Sequence, residues 1–513
     1  MRINKLIISF SACLFPLLIQ AQDSFQDFKA QIEGEFNAFK EETETEFERF
    51  RRERNEEYAR FMREAWGPFN PSPGIPLPKD EEVAPVVVKK SDAIAAPSTG
   101  SLAVFIDEVI HLPRLIRQRP KPIEPIEQVT VQTSDKRPEN ADMLKHTFSF
   151  YGKEFTVRVD RSDLFQLRRV SEAQVANAWI ELSKRKYTNL VYDCIQIRDN
   201  LHLCDWAYLM MLQQMSEQLF GAGTNESVLL AAYIYCQTGY EMRLGFLNKK
   251  LCMLVASEHL IYNWISYEID GKRYYPLAKQ DGTMHICARK YPQERPLSLQ
   301  ILEQQDFASS SAGATVHKST CDDDMNITMT ADKGMLDFYS SYPTSMIGDN
   351  MLTRWAMYAN APVSENLRNQ VYPQIRKAVE GCDQLTAVNK ILNWIQTGFE
   401  YEYDEVVWGY DRAFFPEESM YYPYCDCEDR SILLTRLVRD IIGLNCVLVY
   451  YPGHLAAAVD ITEGTATGQY IEYEGHKFYI ADGTILVESD VPGGVPVGES
   501  VMDNSTAKVI ILD

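Results

Sequence analysis

The chain contains no CxxC pair, no HExxH and no two histidines at metal-ligand spacing, so nothing in it supports a zinc centre. It also lacks an excess of positive charge. Against 72 Asp+Glu stand 51 Lys+Arg, for a net charge of −21 and a pI near 4.9. A surface of that sign repels phosphate backbones, which argues against a nucleic-acid partner. Beyond the first twenty or so residues no apolar run approaches the length of a membrane span, so no transmembrane segment is expected. The cysteines do not suit a small disulfide scaffold. Ten of the 11 lie beyond residue 21, scattered from Cys194 to Cys446 without dense, regular spacing. No cofactor and no metal are expected.

What remains is an ordinary globular composition, 45% hydrophobic, 24% charged and 11% aromatic, over 513 residues. That length exceeds one core and implies two or three domains. Residues 1–21 have a basic start (Arg2, Lys5), an apolar run from Leu6 to Ile19 and Ala21 at a cleavage position. They read as the signal peptide of an exported protein, periplasmic or secreted. Lipoprotein anchoring at Cys13 is not expected, because the apolar run continues past it. Residues 22–69 read as an amphipathic helix, with aromatics at Phe25/Phe28, Phe36/Phe39, Phe47/Phe50 and Tyr58/Phe61. Their 11-residue step is about three helical turns, so the rings share one face. That face either serves oligomerisation or docking through residues 25–66 or folds back on the following domain, and the pattern is the same in both cases. Residues 70–140 are rich in proline and charge. They read as a linker, partly extended, with a short helix around Leu102–Ile116.

The densest chemistry lies near the C-terminus, in "YYPYCDCEDRSILLTRLVRDIIG", from Tyr421 to Gly443. Two cysteines one residue apart beside acids suit a metal pair, half of a disulfide framework or a nucleophile at a helix start. After Cys427 the apolar residues Ile432, Leu433, Leu434, Leu437, Val438, Ile441 and Ile442 keep a 3.6-residue period, with Gly443 as the stop. Cys427 therefore opens a helix, where unpaired N–H groups and the helix dipole favour thiolate over thiol. Such a nucleophile needs a base, and the base needs an orienter. Downstream, "NCVLVYYPGHLAAAVDI" predicts a strand, a turn at Pro452–Gly453 and a second strand opened by His454. "YIEYEGHKFYIADGT" predicts a hairpin that leads to Asp482. His454 and Asp482 then meet at one end of an antiparallel sheet packed against the Cys427 helix, in a Cys–His–Asp arrangement. Glu428 and Asp429 read as first-turn charges, and Cys425 has no assigned role.

Taken in order, "DCEDRSILLTRLVR", "GHLAAAV" and "ADGT", with "VNKILNWIQTGFEYEYD" upstream, resemble the transglutaminase-like superfamily over roughly residues 364–513. The resemblance implies an α+β, papain-like fold in which the helix bearing the cysteine packs on an antiparallel sheet. It implies Cys427 as nucleophile, His454 as base and Asp482 as orienter, working through a thioester on amide bonds of a protein or peptide substrate. Hydrolysis is favoured over transamidation, since no dedicated amine site is visible. For the oxyanion hole it offers the Cys427 backbone N–H, with a second donor from Trp408 or Tyr424. The sequence departs from the common pattern twice: no aromatic follows the histidine in "GHLAAAV", and Gly483 in "ADGT" stands where proline is frequent.

The motif also has an echo. Moved back by 204 residues, "SILLTRLVRDIIGLNCVLVYYPGHLAAAV" lies over "SVLLAAYIYCQTGYEMRLGFLNKKLCMLV", with Ser431 on Ser227, Leu434 on Leu230 and Gly443 on Gly239. Cys427 then falls on Gly223, His454 on Lys250 and Asp482 on Ala278. Residues 141–300 thus read as a degenerate, non-catalytic copy ahead of a catalytic domain at 301–513. The alternative is chance likeness of two helix–strand–hairpin units. The function expected is an exported cysteine-dependent hydrolase or acyl transferase. Its rival is a catalytically silent interaction or scaffold protein built from the same domains.

Overall fold

The structure is a computed structural model that describes residues 46–78, 87–89, 101–113, 119–126, 128, 143–160, 164–167, 170–184, 187–278, 281–307, 310–464, 466–488, 493–500, 502 and 506–513. The expected signal peptide and the pairs Phe25/Phe28 and Phe36/Phe39 lie outside the described residues.

The fold is mixed α+β, organised on two sheets that curl into half-barrels. The first runs, strand by strand, Gly67–Phe69, Met284–Cys287, Met242–Leu247, Lys250–Ala256, Lys272–Pro276, Tyr267–Ile269. The second runs Leu102–Ala103, Gln469–Tyr473, His476–Ala481, His454–Asp460, Cys446–Tyr451, Ala507–Ile511, Ile106–His111. The inner strands Cys446–Tyr451 and His454–Asp460 are covered on both sides and are buried along nearly their whole length, while the edge strands are partly exposed. Along His454–Asp460, Leu455, Ala457 and Val459 join the cores shared with the helices, while Ala456 and Ala458 join Val447, Val449, Ile471, Phe478 and Ile480 inside the half-barrel. Between the halves the core is continuous: Cys427, Ile432 and Leu455 belong to the same cluster as Tyr240, Leu244 and Leu297.

The two sheets agree in register as well as order. Met242 pairs with Val255 and Leu247 with Lys250, as Cys446 pairs with Val459 and Tyr451 with His454, each 204 residues on. Tyr274 pairs with Ala256 as Phe478 pairs with Asp460, and Tyr267 with Tyr274 as Ile471 with Phe478. The offset changes at the last strand, where His285 opposite Phe246 answers to Lys508 opposite Tyr450. The outer strands also differ, Gly67–Phe69 pairing antiparallel and Ile106–His111 parallel. In front of each sheet lies a helix, Asn225–Gln237 or Cys427–Leu437, packed on the strand Lys250–Ala256 or His454–Asp460. The second helix continues as a wider turn to Ile442 and stops at Gly443, whose φ of 81° is the left-handed cap a glycine supplies.

The stretch expected to be a linker is structural where it is described. Ser72 bridges Ser266, and Ile75 O accepts the Asn263 N–H at 2.8 Å. In place of the expected helix around Leu102–Ile116, residues 102–103 and 106–111 are strands that pair parallel with Gln469–Tyr470 and Ala507–Ile511. One short stretch thereby takes both edges of the second sheet. The reason is that edges carry unpaired N–H and C=O groups, and "LAVFIDEVIH" is rich in β-branched residues that suit pairing there.

The N-terminal helix, described over 46–62, folds back on its own chain. Asn55, Tyr58, Ala59 and Met62, with Trp66 beyond, form its buried face. Asn55 exchanges 3.0 Å hydrogen bonds with Gln237 and accepts one from Trp179 Nε1 at 2.8 Å. Of the predicted stripe Tyr58 is buried, while Phe50 and Phe61 are partly covered by Arg54 and Arg289. No helix among the described residues is long and apolar enough to cross a membrane.

Candidate active site

Cys427 is the first residue of its helix, with Asp426 as N-cap. Its own N–H has no partner within the helix, because the first turn never does. The next residues then tie that helix down one after another. Asp429 Oδ1 accepts the Phe414 N–H at 2.6 Å, holding the loop before the motif. Arg430, 1% exposed, donates to Gly483 O at 3.0 Å and Phe399 O at 2.9 Å. Ser431 Oγ donates to Leu455 O at 2.9 Å. The run "EDRS" therefore joins the cysteine helix to the loop, to the turn that carries Asp482 and to the strand that carries His454.

His454 Nε2 and Asp482 Oδ2 lie 2.9 Å apart, both buried. The other Asp482 oxygen accepts from the Thr484 amide at 3.0 Å and its hydroxyl at 2.7 Å, and Gln396 Nε2 donates to Asp482 O at 2.7 Å. With Nε2 committed to the carboxylate, the base nitrogen is Nδ1. Cys427 and His454 line one cavity of about 360 Å³, together with Arg354, Trp355, Asp411, Glu428 and Tyr450. Pro78, from the stretch expected to be linker, lines it too. Trp355 stacks on Tyr450 at 5.5 Å, and Val406 at the wall is 70% exposed. The walls are thus aromatic and acidic, on a scale that fits a side chain or a short peptide segment.

Gly483 answers the first open question of the motif. A Cβ at that position would meet Arg430 Cβ at 3.0 Å and Ile395 at 3.5 Å, so glycine is what lets the Asp482 turn close on the helix. The alanines of "GHLAAAV" do similar work, since Ala456, Ala457 and Ala458 are fully buried between half-barrel and helices.

The electrostatics depart from the sequence expectation. Burial, then the charges of Glu428 and Asp426, push the Cys427 thiol well up, with the Leu455 N–H pulling the other way. Its Sγ is 3.5 Å from Glu428 Oε2, with the thiol as donor. Burial alone would push His454 down, but the charge and hydrogen bond of Asp482 carry it above its usual value. For Asp482 burial acts upward, and His454 with the Thr484 donors holds the carboxyl below its usual range. Burial and the neighbouring acids thus favour the thiol form of Cys427, while Asp482 favours the protonated form of His454.

These shifts set a pH window. A histidine with a raised pKa adds stability that is complete below about pH 6.5 and lost as pH rises through its folded value. An aspartate with a lowered pKa adds stability present above about pH 3.9 and lost as pH falls through its folded value. The pair is therefore expected to stabilise the protein most between about pH 4 and 6.5. Urea midpoints measured across that range should show a maximum that His454→Gln flattens. An unchanged profile would contradict the pairing.

Not every predicted residue joins the site. Trp408 and Tyr424 do not line the cavity. The Trp408 N–H donates to Asp404 O at 2.6 Å, and its ring packs with Phe414, Tyr422 and Tyr424. Both stand in an aromatic group of their own with Phe414 and Tyr422, away from the cavity lining where the second oxyanion donor is expected. Glu428 is the opposite case, a first-turn charge as expected but only 8% exposed and part of the cavity lining. Its signal was available, since an acid flanked by Cys427 and Asp429 on the buried side of an apolar helix is hard to expose. Cys425 is buried, with burial pushing its thiol up to about 11, and all ten described cysteines are free.

Carboxylates of Asp404, Asp411 and Glu428 gather closely enough to share a cation. Arg354 already supplies it. Its guanidinium meets both oxygens of Asp411, at 3.1 and 3.0 Å, and stands 3.8 Å from Glu428, while Asp404 takes the Arg412 N–H. No family model, curated protein or solved structure matches this chain.

Proposed function

We propose that the protein is an exported cysteine-dependent hydrolase or acyl transferase of papain-like, transglutaminase-like fold. Residues 141–300 are then a degenerate copy of the catalytic half. The shared strand order and register support that duplication, and at the triad-equivalent positions Gly223, Lys250 and Ala278 are all exposed. The observation that carries the catalytic reading is the 2.9 Å His454–Asp482 contact in the wall of a cavity that also holds Cys427 at a helix N-terminus.

In this reading the Cys427 thiol gives its proton to His454 Nδ1 as sulfur attacks the amide carbonyl. Negative charge on the carbonyl oxygen is met by the Cys427 N–H, which no helical carbonyl claims. The C–N bond then breaks, the imidazolium returns the proton to the leaving amine, and a thioester remains. Water, deprotonated by the same nitrogen, attacks the thioester and restores the thiol. Because the base works only when neutral, the rate rises with pH through the raised His454 value.

A second reading, a catalytically silent interaction protein, draws on the burial of Cys427 and the acids around it. One experiment separates them. Wild type and Cys427→Ala are incubated with a p-nitrophenyl ester and a peptide library, quenched in acid and digested for mass spectrometry. The enzyme reading expects an acyl group on the Cys427 peptide and cleavage products that vanish in the variant. Identical products from both proteins would remove Cys427 as nucleophile, and no turnover by either would favour the silent reading.

A further inference from the structure

We infer that Glu428 is a positioning residue that holds Cys427 as a protonated thiol at rest, and that attack requires the thiol to turn from Glu428 to His454. This rests on the reading of Cys427 as nucleophile, but it concerns a residue and a state which that reading does not require.

Geometry carries the inference. The thiol donates to Glu428 Oε2 at 3.5 Å, and both residues face the same cavity. Glu428 does not wander, because Arg354, 3% exposed, stands 3.8 Å from its other oxygen and is itself anchored on Asp411 by two hydrogen bonds. A chain of held groups thus runs Asp411, Arg354, Glu428, Cys427. A second chain, Thr484, Asp482, His454, reaches the same cavity. The thiol thus has an acceptor that keeps its proton, and His454, the base of the proposed mechanism, lines the same cavity. The other groups acting on Cys427 are Asp426 on its own helix, Tyr401 on the preceding segment and the Leu455 N–H. The first two bring no positive charge, and only the Leu455 donor favours the thiolate. A carboxylate beside sulfur disfavours thiolate, so burial and Glu428 act in the same direction. When the thiol turns, its proton passes to His454 Nδ1 and the Cys427–Glu428 contact is lost, with nothing else consumed.

The consequence is unusual for a residue next to a nucleophile: removing its charge should make the thiol more reactive. Full-length protein is alkylated with iodoacetamide between pH 6 and 10, and the Cys427 peptide is quantified with time. Glu428→Gln, which keeps size and shape, is expected to react about tenfold faster at pH 7.5, tenfold being one unit of thiol pKa. Glu428→Asp, whose shorter arm draws the charge back from sulfur, should fall between the two. Should the glutamine variant fail to give a cooperative urea transition, the aspartate variant alone carries the test. Alkylation at the wild-type rate, or slower, in the folded variants would overturn the inference. His454→Ala is run alongside and separates the two ideas. A rate that ignores His454 counts against the triad, whereas a rate that ignores Glu428 counts against the resting-state contact alone.

Discussion

Asp482→Asn should leave the fold intact and slow acyl transfer by roughly 10³- to 10⁴-fold, the scale seen when a triad loses its orienting carboxylate but keeps its shape. The local geometry says why. Oδ1 of Asp482 accepts two hydrogen bonds from Thr484, and an asparagine oxygen would stay there. The new amide nitrogen must then face His454 Nε2, now 2.9 Å from a carboxylate oxygen. An amide N–H can only donate, so Nε2 becomes the acceptor and the ring proton moves to Nδ1. Nδ1 is the nitrogen the mechanism needs empty. The imidazole keeps its place and loses its function. The acylation rate of Cys427 by an activated ester, followed by mass spectrometry, measures this directly. A loss smaller than tenfold would show that Asp482 merely supports the turn. The pH profile gives a second check, because the stability maximum between about pH 4 and 6.5 should disappear with the carboxylate.

The second large effect is expected at Arg430. Its guanidinium lies in the interior, with donors on Gly483 O and Phe399 O and a longer contact to Gln396 O at 3.5 Å. Tyr401 faces it at 5.2 Å. Methionine in its place fills much of the volume and satisfies none of the carbonyls. At about 1 to 3 kcal/mol for each buried polar group left unpaired, Arg430→Met should cost on the order of 3 to 5 kcal/mol. Lysine should recover only part of this, since a single ammonium cannot reproduce a planar fork. Urea unfolding gives the number, and a loss below about 1 kcal/mol would mean that the carbonyls find other partners. Activity should fall with stability, because the same bonds hold the Asp482 turn against the cysteine helix.

How much of this was legible in the sequence depends on how local each signal is. The Cys427 helix, its Gly443 stop, the strand opened by His454 and the hairpin before Asp482 follow from period and turn chemistry within about twenty residues. The repeat at 204 residues was legible too, as a modest match that agrees with the register of two sheets. Trp408 and Tyr424 were misplaced because no local rule says which way a loop turns its rings. The strands at 102–111 were misread because their partners lie more than 350 residues away.

By itself the sequence determined which residues can do chemistry and the elements that carry them. Spacing along one chain segment fixes a helix face or a strand face without reference to the rest. Only the tertiary structure decided the surroundings of the Cys427 thiol. The helix N-terminus alone argues for thiolate, yet burial beside Glu428 and Asp426 pushes the Cys427 thiol up. Desolvation comes from packing against other elements, which no local spacing along the chain reports.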